Sequence, residues 1–334
     1  MNTAGLPKVE LHVHLEGSIR PETLLQLAKR HSVALPADDL AGLREWYKFR
    51  DFKHFVEIYV TLSSCVRDAA DIELVTREFL QGQAEQNVLH TEATFTMWTL
   101  HKQNGTSLDD QLKAVNRARE EANTSMNLVL DIVREESVEN GLIMAEFAIA
   151  NHGNGICALG LTGVEVETEP KKHEAAFRKA KDAGLPITCH AGETGGADVI
   201  WGCLRDLGAD RIGHGIRCLE DPALVKELRD RQIHLEVCPS SNVALGLVPS
   251  IQEHPIVEML NQGLNVSINS DDPPMFSTSL TQELDRCSET FGFNQDVLFT
   301  LTQNAARAAF LPETEKRALG EKIRVGYAEL SAAT

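Results

Sequence analysis

The stretch VELHVHLEGS, residues 9–18, places two histidines two positions apart at the end of an apolar run. Val9 and Leu11 are typical of a buried strand. Side chains alternate across a strand, so His12 and His14 share one face and lie close enough to bind one ion. A short H-x-H motif also recurs by accident, and the rest of the chain must support the metal interpretation.

Seven further apolar runs follow this one, and helix-patterned segments separate the later runs. This alternation predicts a TIM (β/α)8 barrel that forms a single domain over residues 1–334. About 70 residues separate the first two runs, which predicts a helical insertion at about residues 20–85. The runs lie at about residues 8–14, 87–97, 126–134, 155–163, 186–190, 210–214, 233–238 and 264–270.

The composition indicates a soluble globular protein, with 43% hydrophobic and 24% charged residues in a chain of 334. A net charge of −17 argues against nucleic acid and anionic membrane surfaces as partners. No apolar run approaches the roughly 20 residues of a membrane span, and the first residues lack a signal pattern. We therefore expect a cytoplasmic protein with a small-molecule substrate. Nothing in the sequence indicates the oligomeric state.

The chain contains seven cysteines without any C-x-x-C pairing. Most lie in apolar, strand-like segments, which favours reduced thiols in the core.

The insertion contains an aromatic segment, WYKFRDFKHFVEIY, at residues 46–59. These rings could form an apolar wall or lid over a flat substrate, or they could only pack the insertion onto the barrel. The sequence leaves both interpretations open.

Polar residues at the carboxyl ends of barrel strands are the candidates for an active site. Three imidazoles and a carboxylate can hold one zinc ion and leave a position open for water. Such an ion lowers the pKa of bound water to about 7, which implies a hydrolytic reaction. The candidates are His12, His14, His190, Glu193, His214, Asp271 and Asp272.

Four segments together carry a resemblance to a known family: KVELHVHLEGSIRPETLLQLA, HAGETGG, DRIGHGIRCLED and INSDDPP. In this order they resemble the adenosine/adenine deaminase family of the amidohydrolase superfamily, over essentially the whole chain. The resemblance implies the hydrolytic deamination of a 6-aminopurine with one zinc ion per subunit. It assigns the metal ligands as His12, His14, His190 and Asp271.

The same resemblance implies the other catalytic roles. His214 would orient the nucleophilic water and help to deprotonate it, and Glu193 would protonate the ring nitrogen beside the attacked carbon. Asp272 would accept a hydrogen bond from the five-membered ring, and the backbone of Gly163 would face the six-membered ring. Asp272 could instead cap a helix, and Gly163 could be an ordinary loop glycine.

The substrate is less well specified than the reaction. The family implies adenosine, and His14 and Glu16 would lie beside it. Family members that act on adenosine commonly have Asp at the position of Glu16 and an acid at the position of Val164. The alternatives are adenine and a 5′-modified adenosine such as aminodeoxyfutalosine, whose extension Val164 would tolerate.

Two other classes of protein compete with this interpretation. A binuclear hydrolase needs a bridging lysine at the end of the fourth strand, but Lys171 and Lys172 lie well beyond it. A non-catalytic barrel that binds a metal or a purine would not need the acid Glu193. The other histidines discussed are expected to be structural, although His54 could touch the substrate; they are His54, His90, His101, His152, His173, His234 and His254.

Overall fold

The computed structural model describes residues 3–50 and 52–332, without the side chains of Phe52, Lys53 and Ala332. Its centre is a sheet of eight parallel strands in sequential order. The predicted barrel is confirmed, and the strand ends differ from the predicted runs by at most two residues. The strands are β1 (Lys8–His14), β2 (Val88–Phe95), β3 (Ser125–Val133), β4 (Ile156–Thr162), β5 (Ile187–Ala191), β6 (Arg211–His214), β7 (His234–Val237) and β8 (Asn265–Ile268).

The last strand returns to the first at the end of the barrel where the histidines lie. Val13 and Asp271 form a parallel bridge. The His14 amide donates to the Asp271 carbonyl at 2.9 Å, and the Asp271 amide donates to the His12 carbonyl at 3.1 Å. Barrel closure therefore brings Asp271 to the H-x-H motif from a position more than 250 residues away.

Helices surround the sheet, and the first four form the insertion predicted between β1 and β2. The described α-helices are α1 (Pro21–His31), α2 (Leu40–Trp46), α3 (Phe52–Cys65), α4 (Ala69–Glu85), α5 (Met97–Asn104), α6 (Leu108–Glu120), α7 (Val138–Ala150), α8 (Glu174–Asp182), α9 (Ala197–Gly202), α10 (Pro222–Asp230), α11 (Pro239–Ala244), α12 (Ile256–Asn261), α13 (Leu280–Phe291), α14 (Gln295–Ala308) and α15 (Glu313–Ala332). Across these described residues, none of the helices is both long and apolar enough to span a membrane.

The insertion is held together by Asp71, a buried acid in the first turn of α4. Asp68 caps this helix, and the Asp71 side chain accepts a bond from the Asp68 amide in return. Arg30 and His31, at the end of α1, pair with Asp71 at 2.5 and 2.6 Å. This cluster around Asp71 therefore joins the end of α1 to the start of α4.

The barrel interior contains both apolar side chains and a chain of buried ions. Arg211 on β6 lies 2.6 Å from Glu236 on β7 and 2.6 Å from Glu92 on β2. Each of these side chains is at most 2% exposed. Opposite charges therefore compensate one another inside the barrel. All seven cysteines are buried and free, as the sequence predicts.

Candidate active site

Five predicted site residues converge at the carboxyl end of the barrel. His12 and His14 come from β1, His190 from β5 and His214 from β6, and Asp271 follows β8. Donor atoms of His12, His190, His214 and Asp271 all lie within 4.8 Å of one another. His14 adjoins this group, because its Nε2 is 3.1 Å from His190 Nε2.

Distances within the cluster separate the predicted ligands from His214. Two ligands of one tetrahedral zinc ion lie roughly 3.4 Å apart, given bonds of about 2.1 Å. Asp271 Oδ1 is 3.5 Å from His12 Nε2 and 3.4 Å from His14 Nε2. His214 Nε2 is farther from this carboxylate, at 4.0 Å from Oδ2. The spacing therefore fits the predicted ligand set and places His214 beside it.

Glu236 contacts His12 on the ring nitrogen that faces away from Asp271. Its Oε2 lies 2.9 Å from His12 Nδ1, and Arg211 lowers the pKa of Glu236 to about 2 against the opposing effect of burial. The ionised carboxylate only accepts, so Nδ1 carries the proton of this bond. His12 Nε2 is buried and has no hydrogen-bond partner among the described residues. A cation would satisfy this atom, and a carboxylate behind a histidine is a common support for a metal ligand.

The electrostatics of the cluster suit a cation as well. Burial lowers the pKa of His14 to about 4 and the pKa of His190 well below its ordinary value, so both rings are neutral. The histidines hold the pKa of Asp271 far below its usual range, although burial opposes them. The nearby carboxylates of Asp271 and Glu236 raise the pKa of His12 to about 10 despite its burial, so this position favours a positive charge. A bound cation would replace the Nε2 proton of His12 and meet the neutral rings and the ionised carboxylate that bind metals.

Two of the site residues have left-handed backbone conformations. The φ angle is 59° at His214 and 64° at Asp271. Such angles are uncommon for residues other than glycine, and Asp and His adopt them more readily than most. These backbone positions turn the chain at the ends of β6 and β8, and such strained positions cluster at active sites.

Glu193 faces His214 across the site, with 3.7 Å between Oε1 and Nε2. Burial raises the pKa of Glu193 well above its ordinary value, and the neighbouring charges of Asp271 and Glu165 raise it further. These shifts favour the protonated carboxylic acid. This protonation state suits a proton donor.

Asn242 and His254 support His214 from the side opposite to Glu193. Asn242 Nδ2 is 3.4 Å from His214 Nδ1, and Asn242 Oδ1 is 3.1 Å from His254 Nε2. In this arrangement the amide donates to Nδ1, and the neutral ring of His214 carries its proton on Nε2. His254, which we expected to be structural, contacts Asn242, and Asn242 in turn contacts His214.

A cavity of about 330 Å³ opens onto the cluster. Its inner wall includes His14, His190, Glu193, His214 and Asp271. Its outer wall is largely apolar and comes from α3, from the end of β3 and from residues that follow β4 and α11. These outer residues include Phe55, Val56, Tyr59, Val60, Val133, Val164 and Leu245.

Asp272 and Gly163 both line this cavity. Asp272 Oδ1 is buried and has no hydrogen-bond partner among the described residues. Burial and the charge of Asp271 raise the pKa of Asp272 well above its ordinary value. Gly163 has a φ of 95°, and a Cβ there would lie 2.3 Å from Glu135 Oε2. This position therefore requires glycine and leaves its backbone next to the cavity.

Glu16 lies at the start of a short turn after β1 and is buried. Its Oε1 accepts a 2.9 Å bond from the Thr96 amide, and its Oε2 has no hydrogen-bond partner among the described residues. Burial and Asp131 raise the pKa of Glu16 to about 8. Thr96 lines the cavity, so Glu16 lies just behind its wall.

The aromatic insertion serves both of the roles that we considered. Phe55 and Tyr59 line the cavity, and Phe55 stacks on Phe276 with a centroid distance of 5.6 Å. Tyr47 is buried instead, and its hydroxyl donates to the Ile19 carbonyl at 3.0 Å. His54 is absent from the cavity wall as described, where we had allowed a substrate contact. Phe52 has no described side chain.

Lys172, His173 and His234 lie away from the cluster. Lys172 donates to the carbonyls of Arg134 and Glu135, so it does not bridge metals at the end of β4. His234 bonds Asn265 and Ser267 inside the barrel. His173 is also buried, and its Nε2 lies 3.2 Å from the Arg134 carbonyl.

Sequence reasoning missed Glu236, Asn242 and Glu165. Glu236 was visible as a single acid within the apolar segment IHLEVC, and a charge inside a predicted barrel strand needs a partner. Asn242 lies on the short helix α11 and Glu165 lies in the loop after β4, and no local pattern distinguishes either from surface residues.

A parallel barrel with histidines on β1, β5 and β6 and an aspartate after β8 defines a hydrolase of the amidohydrolase superfamily, whose deaminases depend on a metal. The chain belongs to the adenosine deaminase family, whose model matches residues 7–325. It is therefore a hydrolase that acts on carbon–nitrogen bonds. The predicted family and enzyme class are confirmed.

Named relatives support purine deaminase activity. The chain is 36% identical over 325 residues to an aminodeoxyfutalosine deaminase from Streptomyces coelicolor, covering 96% of this chain and 84% of the relative. It is 37% identical over 312 residues to an adenine deaminase from Stutzerimonas stutzeri, covering 92% and 98%. Adenosine, which we expected as substrate, is not confirmed, and the adenine and aminodeoxyfutalosine alternatives are better supported.

Solved structures agree with the fold. An adenine deaminase from Arthrobacter aurescens superposes with a TM-score of 0.90 at 34% identity, over 96% of this chain and 98% of that one. An amidohydrolase from Burkholderia ambifaria, solved with bound zinc, has a TM-score of 0.88 at 25% identity, over 99% and 94%.

Proposed function

We propose that this protein is a zinc-dependent deaminase that hydrolyses the 6-amino group of a purine nucleoside bearing an apolar 5′ substituent, as in aminodeoxyfutalosine. The observation that carries the proposal is the continuous cavity from Glu193 and His214 to the apolar residues of α3 and Val164. The purine ring would lie against the polar end, and the substituent would lie against the apolar end.

The proposed metal ligands are His12, His14, His190 and Asp271. The orphaned Nε2 of His12 and the ligand-like separations of 3.4 and 3.5 Å support this set. A zinc ion held there would activate a water molecule as the nucleophile near neutral pH.

Glu193 is the proposed proton donor to the ring nitrogen beside the attacked carbon. Its raised pKa keeps the proton available, and protonation of this nitrogen makes the carbon more electrophilic. His214 is proposed to orient the attacking oxygen. The contact with Asn242 supports this role over deprotonation, because it leaves a donor proton on Nε2. Ammonia leaves from the tetrahedral centre.

Asp272 and Gly163 are the proposed contacts of the purine ring. The unpartnered Oδ1 of Asp272 is available to accept a hydrogen bond from the five-membered ring. The backbone of Gly163 lies at the cavity and can approach the six-membered ring closely, because no side chain intervenes. His14 would lie beside the sugar, and Glu16 would lie behind the wall formed there by Thr96.

The apolar outer wall supports the extended nucleoside. Val164 and the α3 residues Phe55, Val56 and Tyr59 carry no charge. Glu135 also lines the cavity, and its carboxylate already accepts from the Val164 amide at 3.1 Å. Val56 and Val60 are 42% and 53% exposed, and a bound apolar group would cover this surface. Free adenine is the second candidate, which the adenine deaminases among the relatives favour.

Ammonia release from the zinc-loaded protein tests the proposal. Adenosine, 2′-deoxyadenosine, adenine and aminodeoxyfutalosine should be compared by kcat/KM, with Glu193→Gln as the inactive control. We expect aminodeoxyfutalosine to have the highest value. Fastest turnover of adenine would favour the second candidate, and fastest turnover of adenosine would contradict the role of the apolar wall. A lack of ammonia from all four would favour the non-catalytic alternative.

A further inference from the structure

Glu165 is a buried acid in the loop that follows β4, only 3% exposed. Its carboxylate reaches the loop that follows β5 and accepts three backbone hydrogen bonds there. Oε2 accepts from the amides of Gly192 and Gly195 at 2.8 and 3.0 Å, and Oε1 accepts from the amide of Glu193 at 3.2 Å. One side chain therefore holds most of the segment that carries Glu193.

The loop is shaped around this carboxylate. A Cβ at Gly195 would lie 2.7 Å from Glu165 Oε2, closer than a methyl group can approach. Glycine at this position therefore allows the carboxylate to reach the amides. On its other side the loop is held by Arg217, which donates to the Thr194 carbonyl at 2.6 Å.

Arg134 is a second buried side chain near Glu165. Burial raises the pKa of Glu165, and the charge of Arg134 and the bonds from the three amides oppose this shift. Arg134 donates to the His190 carbonyl at 2.7 Å. These two buried side chains thus contact the strand that carries His190 and the loop that carries Glu193.

We infer that Glu165 is a positioning residue, which holds the backbone of Glu193 so that its carboxylic acid meets the substrate ring. This inference rests on the proposed function of Glu193 as proton donor. Three backbone amides that donate to one buried carboxylate keep the loop in one conformation. A displacement of about 1 Å at a reacting group can cost roughly 100-fold in rate.

Three variants separate the acceptor role from simple packing. Glu165→Gln keeps the volume but replaces one acceptor oxygen by an amide donor that opposes the backbone N–H groups. Glu165→Asp keeps both oxygens on a shorter side chain. Glu167→Gln is the matched control, because Glu167 lies on the same loop and is exposed.

The measurements are kcat, KM, zinc content and amide hydrogen exchange of residues 192–195 in the zinc-loaded protein. We expect Glu165→Gln to lower kcat by roughly 10- to 100-fold with little change in KM or zinc content. Exchange of these amides should accelerate, and Glu165→Asp should retain more activity than Glu165→Gln. If Glu165→Gln does not fold, reduced kcat and faster exchange in Glu165→Asp carry the same test.

Kinetics and amide exchange together distinguish the positioning role of Glu165 from the proposed deaminase function. Wild-type kcat and unchanged exchange in Glu165→Gln would overturn the positioning role. If Glu165 only filled space, Glu165→Gln would instead retain more activity than Glu165→Asp. If the wild type released no ammonia from any purine, the proposed function would fail, and exchange alone would still decide whether Glu165 holds the loop.

Discussion

His12 and Glu236 are joined by a 2.9 Å hydrogen bond inside the barrel, and this bond leaves the second nitrogen of His12 facing Asp271. It fixes the orientation of the imidazole, with a proton on Nδ1, before a ligand arrives. The bond connects the candidate metal site to the buried ions Arg211 and Glu92 below it. A change at Glu236 should therefore affect both metal binding and stability.

Glu236→Gln is expected to weaken zinc binding by roughly 10- to 100-fold, because glutamine orients His12 less strongly. It should also lower the melting temperature, since Arg211 loses one of its two buried partners. Competition with a chelator, well below the melting temperature, measures the affinity. Glu258→Gln on the exposed side of α12 is the control. Unchanged affinity would contradict the support role.

Glu193→Gln should retain zinc and lower kcat by roughly 10²- to 10⁴-fold, because glutamine keeps the volume but donates no acidic proton. Zinc content and kcat on the best substrate measure the two effects. Turnover near the wild-type rate would show that another group protonates the ring.

The pH profile of the wild type provides a separate test of Glu193. The neutral acid is the active form, and burial raises its pKa above the ordinary range for glutamate. Activity should therefore persist well above that range and fall as the pH rises through the raised pKa of Glu193. A loss of kcat already at the ordinary pKa of glutamate would contradict a protonated Glu193.

Asp271→Ala should lose both zinc and activity, since it removes the only carboxylate of the proposed ligand set. It also places alanine at a φ of 64°, which is less favourable than for aspartate. Metal analysis after dialysis gives the stoichiometry, with the exposed Asp230→Ala as control. Zinc retained at full stoichiometry would exclude Asp271 as a ligand.

Val164→Asp should reduce kcat/KM for aminodeoxyfutalosine by roughly 10- to 100-fold, because a charge would face the apolar substituent. Turnover of adenine, which has no such substituent, should change much less. Val166→Asp is the matched control, because Val166 lies two residues further along and is 71% exposed. Equal losses for both substrates would argue against a subsite at Val164.

Asp131→Asn should stabilise the protein above about pH 6. Burial raises the pKa of Asp131 to about 6, although hydrogen bonds from Thr162 and Thr96 oppose this shift. With the folded pKa above the unfolded value, the stability that this group contributes is complete below about pH 4 and is lost as the pH rises through 6. Asparagine avoids this loss and still accepts both hydroxyls.

Thermal unfolding of wild type and Asp131→Asn at pH 4.5 and pH 7.5 checks the direction of this stability change. The variant should gain about 3 kcal/mol at the higher pH and much less at the lower one. A constant difference between the two pH values would mean that Asp131 does not titrate in this range.

Local patterns predicted most of the fold. The eight apolar runs correspond to the eight strands, and the long gap after the first run corresponds to α1–α4. Strand and helix periodicity reflects the burial of one face, and this burial is encoded by residues that are close together in the sequence. The motifs at the strand ends also identified the five residues of the cluster, because the carboxyl ends of parallel strands meet at one end of a barrel.

The sequence by itself determined the barrel, the family and the types of side chain at its mouth, since these follow from spacing along the chain. Only the tertiary structure decided which residues support them. Glu236 meets His12 from 224 positions away, and Glu165 reaches the amide of Glu193 across two loops. These contacts depend on strand register and barrel closure, which bring distant side chains within a few ångströms of one another and leave no periodic trace in the sequence.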